Sequence, residues 1–171
     1  LFNESQVRGW KAVTDAVHAK GGKIFVQLMH TGRVAHAANL PAGAQVVGPT
    51  STVCPGEMFT DSQGMQPHSI PRAMNAPDIA HAVKEYAMSA RLAIEAGFDG
   101  VELHAANGYL IEQFLNGNVN QRTDAYGGSF SGRNRFTLEV ASATAEAPDQ
   151  ERIRTSISKR SRAPGARSPR C

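Results

Sequence analysis

A long helical pattern, a single glycine and a short apolar run follow one another from Pro77 to Leu103, and that order constrains the fold more than any other stretch. Ile79, Val83, Tyr86, Ala90 and Ile94 recur at helical spacing and predict a face turned toward a sheet. Ala80, Ala82, Ala87 and Ala93 leave room for close helix–strand approach. Asn75 can cap this helix, Pro77 suits its first turn, and Asp78 favours its positive end. Gly97 ends it. Phe98-Asp99-Gly100-Val101-Glu102-Leu103 then reads as a buried parallel strand. The same order occurs earlier. Ser5 to Lys20 is an amphipathic pattern with Ser5 as its cap and Val7, Trp10, Val13 and Val17 as its stripe. Gly21-Gly22 closes it, and Lys23 to Leu28 reads as a strand. Helices alternating with such strands predict an α/β chain built on a parallel sheet.

The second strand does not run into ordinary turn residues. It runs into His104, Asn107 and Tyr109. Parallel α/β sheets and barrels place their ligands at the carboxyl ends of strands. His104 and Asn107 could both donate to one carbonyl oxygen and stabilise charge developing on it. Tyr109 carries a phenolic proton suited to a general-acid step. The alternative stays open at this point: His104 as a structural histidine and Tyr109 packed under the following helix.

The longer run, HAANGYLIEQFL followed by NQRTDAYGGS and RNRF, resembles the old yellow enzyme family of FMN-dependent ene-reductases. The resemblance extends upstream through AIEAGFDGVE and GGKIFVQLMHTGRVAH and covers roughly Gln6 to Val140. It implies that His104 and Asn107 bind the carbonyl or nitro group of the substrate. It implies that Tyr109 protonates the α-carbon of an enone after hydride from the reduced flavin reaches the β-carbon. It further implies that Gln27 hydrogen-bonds the pyrimidine edge of FMN, where an amide can both donate and accept. NADPH or NADH would be the reductant, and a small electrophilic alkene the substrate. The implied fold is part of a TIM (β/α)8 barrel, roughly its third and fourth strand–helix units. One position departs from the family pattern: Gly132 stands where asparagine usually precedes RxRF, which puts a loop-to-helix cap in doubt.

The rest of the chain reads as support. His30, Arg33 and His36 make a polar loop without metal-site spacing. Ala37 to Asn75 is punctuated by proline and glycine and predicts an insertion with short hairpins; Ala44–Val47 and Gln66–Ile70 are its candidate extended pieces. Asn116 to Gly132 is a polar loop that Arg122 and Asp124 tie down, and a helix begins near Gly132.

A full barrel of this kind needs about 250 residues, whereas the chain has 171. Residues 1–147 are therefore expected to form a partial barrel domain. Leu1 reads as an internal start. Residues 148–171, rich in Ser, Arg, Pro and Ala, read as a disordered or frame-shifted tail. Seven of the 18 basic residues lie between Arg152 and Arg170, so the body is mildly acidic and offers no face for nucleic acid. No apolar run approaches a membrane span. Cys54 and Cys171 suggest neither a disulfide framework nor a zinc site, and a cytoplasmic setting follows by default. Two functional expectations result. One is an FMN-dependent oxidoreductase; the other is a catalytically inactive barrel fragment that cannot hold FMN alone. The oligomeric state is not readable.

Overall fold

The computed structural model describes residues 1–147 and the two-residue strand Ser156–Ile157. The expected tail of 148–171 otherwise lies outside the described residues. The chain divides into two compact units. Among the described residues, the first comprises Leu1–Leu28, Pro77–His104, 138–147 and Ser156–Ile157. The second comprises Met29–Ala76 and Ala105–Thr137.

In the first unit, α1 (Glu4–His18) leads into β1 (Phe25–Leu28), and α2 (Ala76–Glu95) leads into a second strand, Gly100–Leu103. The two strands are parallel, with Phe25 paired to Gly100, Val26 to Val101, Gln27 to Glu102 and Leu28 to Leu103. Alternation therefore puts Val26, Leu28, Val101 and Leu103 on one face. Leu28, Val101 and Leu103 are buried. The opposite face carries Phe25, which is 51% exposed, together with Gln27 and Glu102. The Ser156–Ile157 strand pairs in parallel on the other side, Glu102 to Ser156 and Leu103 to Ile157.

The helix α1 differs from its expected form at both its cap and its face. Asn3, not Ser5, caps it, accepting from the Gln6 N–H at 2.9 Å. Val7 and Thr14 are the residues it buries, while Trp10 and Val13 stay 42% and 43% exposed. The reason is a hydroxyl. Thr14 Oγ1 donates to the Ala96 carbonyl at 2.6 Å, which turns this face of the helix inward. Gly97 has φ +90°, and a Cβ there would come within 2.7 Å of Thr14 Oγ1. Glycine thus serves the turn and the close approach together. Trp10 stacks on Phe98 with ring centroids 5.3 Å apart and planes inclined at 55°.

Asp99 ties three segments of this unit together. Its carboxylate accepts from Lys23 Nζ at 2.8 Å, His18 Nε2 at 2.8 Å and the Ile24 N–H at 2.9 Å. The lysine, the histidine and the backbone donor, in that order, hold its pKa well below the usual carboxylate range. A depressed carboxylate stabilises the fold above its unfolded pKa, about 3.9, and that contribution is lost as the pH falls below it. Asp99→Asn is therefore expected to be less stable than wild type in urea at pH 7, with the gap already narrower at about pH 3. A gap of equal size at both pH values would remove this role from Asp99.

The second unit holds the insertion and the segment after His104. Its extended pieces are β2 (Val47–Gly48), β3 (Glu57–Thr60), β4 (Gly64–Pro67) and β5 (Arg72–Ala73). β3 and β4 form the antiparallel hairpin, while β2 and β5 form a short parallel pair. The Gly100–Leu103 strand of the first unit, β6, precedes α3 (Leu110–Leu115) and α4 (Phe130–Glu146) in the chain. Leu110, Ile111, Phe114 and Phe136 are fully buried here. The Phe114 ring lies 4.4 Å from Phe136 and 6.4 Å from Tyr126, centroid to centroid. The doubted cap at the start of α4 is made by Ser129, whose Oγ accepts from the Gly132 N–H at 3.1 Å. A Cβ at Gly132 would run into the Gly127 carbonyl, so this backbone needs glycine where the family pattern has asparagine.

Among the described residues, no helix is long and apolar enough to cross a membrane.

Candidate active site

Gln27 and His104 belong to the first unit. Gln27 is exposed on the face of β1 that also carries Phe25, in register with Glu102 of β6. His104 follows β6 directly and is 9% exposed. Its N–H continues the parallel ladder by donating to the Leu28 carbonyl at 3.0 Å. The two residues thus sit at the carboxyl ends of neighbouring parallel strands. Gln27 presents a donor and an acceptor on an open sheet face, and that chemistry fits the ring edge of a flavin, which needs both.

Asn107 and Tyr109 belong to the second unit and flank Gly108. Asn107 has φ +59° and Gly108 φ +81°. Asn107 is the one described non-glycine residue in this left-handed region. Asparagine tolerates such a backbone better than most residues, and strained backbone clusters at functional sites. Tyr109 stands at the N-cap of α3, and its side chain makes no capping hydrogen bond. Its N–H closes a turn onto the Ala106 carbonyl at 3.3 Å, and the next N–H, of Leu110, donates to the His30 carbonyl at 2.9 Å.

Two polar residues of α3 escaped the sequence reading. Glu112 Oε2 accepts from the Gly108 N–H at 2.6 Å. Gln113, only 1% exposed, donates from Nε2 to the Gly108 carbonyl at 2.7 Å and to the Thr31 carbonyl at 2.9 Å. Its Oε1 accepts from the Arg33 N–H at 3.1 Å. The available signal was an adjacent acid and amide inside the apolar run LIEQFL, where one of the two falls on the buried side.

The loop after α3 is tied down as its sequence suggests. Arg122 forks onto Asp124, with Nε at 3.0 Å from Oδ1, and its Nη1 donates to the Pro49 and Met74 carbonyls at 2.7 and 2.6 Å. The guanidinium holds the Asp124 carboxyl below its ordinary pKa. Lysine cannot supply this fork. Arg122→Lys is expected to cost about 1.5–3 kcal/mol, the range for hydrogen bonds to charged groups, in urea-unfolding measurements. A loss within experimental error would show the fork to be dispensable.

The profile of the NADH:flavin oxidoreductase / NADH oxidase family matches residues 1–165. The chain belongs to this family. A probable flavin mononucleotide-dependent alkene reductase of Leishmania infantum is 46% identical over 92% of this chain and 44% of its own length. The 12-oxophytodienoate reductase 7 of Oryza sativa subsp. japonica is 44% identical over 92% of this chain and 41% of its own. Among solved structures, morphinone reductase superposes with a TM-score of 0.83 at 44% identity, covering 90% of this chain and 42% of that one. The same enzyme in complex with tetrahydroNAD gives 0.83, with 44% of that chain covered. The chain spans about two-fifths of the length of the curated relatives it matches. Its parallel strands and helices are thus part of the family's TIM barrel, and the family match runs on beyond residue 147, into the stretch read as a tail.

Proposed function

We propose that this chain carries the substrate-activating part of an FMN-dependent ene-reductase. The substrate is an α,β-unsaturated carbonyl or nitro compound, and NADPH or NADH supplies the electrons. What supports the reading most is the left-handed Asn107–Gly108 turn following His104 at the carboxyl end of a parallel strand. In this reading the His104 imidazole and the Asn107 amide donate to the substrate oxygen and stabilise the negative charge that grows there. The Tyr109 hydroxyl gives its proton to the α-carbon. Gln27 holds the pyrimidine edge of FMN through its amide. FMN, when bound and reduced, supplies hydride to the β-carbon.

A second reading, an inactive fragment unable to retain FMN alone, is favoured by the open face of β1, where Phe25 is 51% exposed beside Gln27. One experiment separates the two. The purified chain is mixed with FMN, freed of excess by gel filtration and examined by absorbance, then assayed for enone-dependent oxidation of NADPH. Stoichiometric flavin and turnover support the enzyme. A colourless protein rejects ene-reductase activity for this chain and leaves the fragment reading.

A further inference from the structure

The geometry points to Glu112 and Gln113 as positioning residues that fix the Asn107–Gly108–Tyr109 turn. This inference rests on the ene-reductase reading for its functional meaning, and on the hydrogen bonds alone for its structural one.

Gly108 is the residue between the two proposed ligand-facing side chains, and both of its backbone groups are held from α3. The Glu112 carboxylate takes its N–H at 2.6 Å, and the Gln113 amide donates to its carbonyl at 2.7 Å. The first is a hydrogen bond to a charged acceptor, among the stronger kinds. The second comes from a buried amide whose orientation its surroundings dictate. Nε2 faces two carbonyls, of Gly108 and Thr31, and Oε1 faces the Arg33 N–H. Reversing the amide would set its oxygen against two oxygens. Gln113 also accounts for Gly32, which has φ +59° and on which any Cβ would run into that amide. The amide therefore fastens the 31–33 segment and the turn to one rigid point. Two consecutive left-handed residues are a costly backbone for a non-glycine at the first position. A turn of that kind keeps one conformation only where its surroundings over-determine it. Neither Glu112 nor Gln113 touches a reacting atom in this account; both act through the backbone of Gly108.

The Glu112 position carries the test, because Gln113→Leu strips a buried hub and can simply unfold. Glu112→Gln keeps an oxygen that can accept from the Gly108 N–H, while Glu112→Ala does not. Hydrogen exchange of the Gly108 amide, followed by NMR in the 171-residue chain, needs no cofactor. It is expected to be about tenfold faster in Glu112→Ala than in wild type, and close to wild type in Glu112→Gln. In the FMN-loaded chain, 4-chlorophenol is expected to bind about tenfold more weakly to Glu112→Ala, with binding regained in Glu112→Gln. FMN affinity should not change in either variant. Equal exchange in the two variants overturns the proposal. So does phenol affinity that Glu112→Ala leaves untouched, or a loss of phenol and FMN binding in parallel. A wild-type chain that retains no FMN overturns the ene-reductase reading alone, and Gly108 exchange then decides the positioning role by itself.

Discussion

Tyr109→Phe is expected to slow reduction of an enone about 10²- to 10⁴-fold, the usual contribution of a positioned general acid. The variant keeps the ring and loses only the hydroxyl, so the turn and α3 should persist. Under stopped-flow conditions, reduction of the flavin by NADPH should proceed at the wild-type rate, because no proton reaches substrate carbon in that half-reaction. The second half-reaction should carry the whole loss. A nitro-olefin whose product is stabilised as its anion should be less affected than a simple enone. If both half-reactions slow equally, Tyr109 supports the site's shape and another group delivers the proton.

The largest stability effect is expected from Phe114→Ala. Phe114 is fully buried, its ring stacks near Phe136, and its carbonyl accepts from Asn120 Nδ2 at 2.7 Å. Removing a buried aromatic side chain costs about 3–5 kcal/mol when the surroundings collapse only partly. Whole domains are stable by about 5–15 kcal/mol, so the variant should be near its unfolding threshold at 37 °C. Phe130→Ala is the control: Phe130 is 78% exposed, and a change within about 0.5 kcal/mol is expected. Urea titration followed by circular dichroism measures both. A Phe114→Ala loss below that of Phe130→Ala would mean that the unit's core is held elsewhere.

The parallel strands were legible because the helical pattern of 76–95, Gly97 and the apolar run after it all agree, and only a crossover arrangement satisfies them together. The candidate site rests on a different signal: His104, Asn107 and Tyr109 are polar residues where a buried strand ends. What stayed hidden was decided by polar groups whose partners are distant in sequence. Thr14 lies outside the expected Val7–Trp10–Val13–Val17 stripe of α1, yet its bond to Ala96 sets which face of that helix turns inward. Asp99 reads as one residue of a strand run, yet it holds Lys23, His18 and Ile24. Gln113 is one polar residue inside the apolar run LIEQFL, yet it is a buried three-bond hub. The parallel pairing of β2 with β5 involves two residues on each side, too few for any periodic signal. The Gly132 departure was visible, but its cause, the nearby Gly127 carbonyl, exists only in the folded backbone.

Trp10 is the sole tryptophan of the chain, and it rests on Phe98. Its emission is consequently a local gauge. It reports the contact between α1 and the start of the β6 segment, and it carries no direct signal from the turn that bears Asn107 and Tyr109. An optical melting curve taken from indole emission alone follows that contact and leaves the turn to a second signal. Pairing the indole signal with a tyrosine-edge or far-ultraviolet signal tells whether the two compact units melt as one cooperative block. Superimposed curves mean a single transition, and separated midpoints mean that stability has to be stated unit by unit.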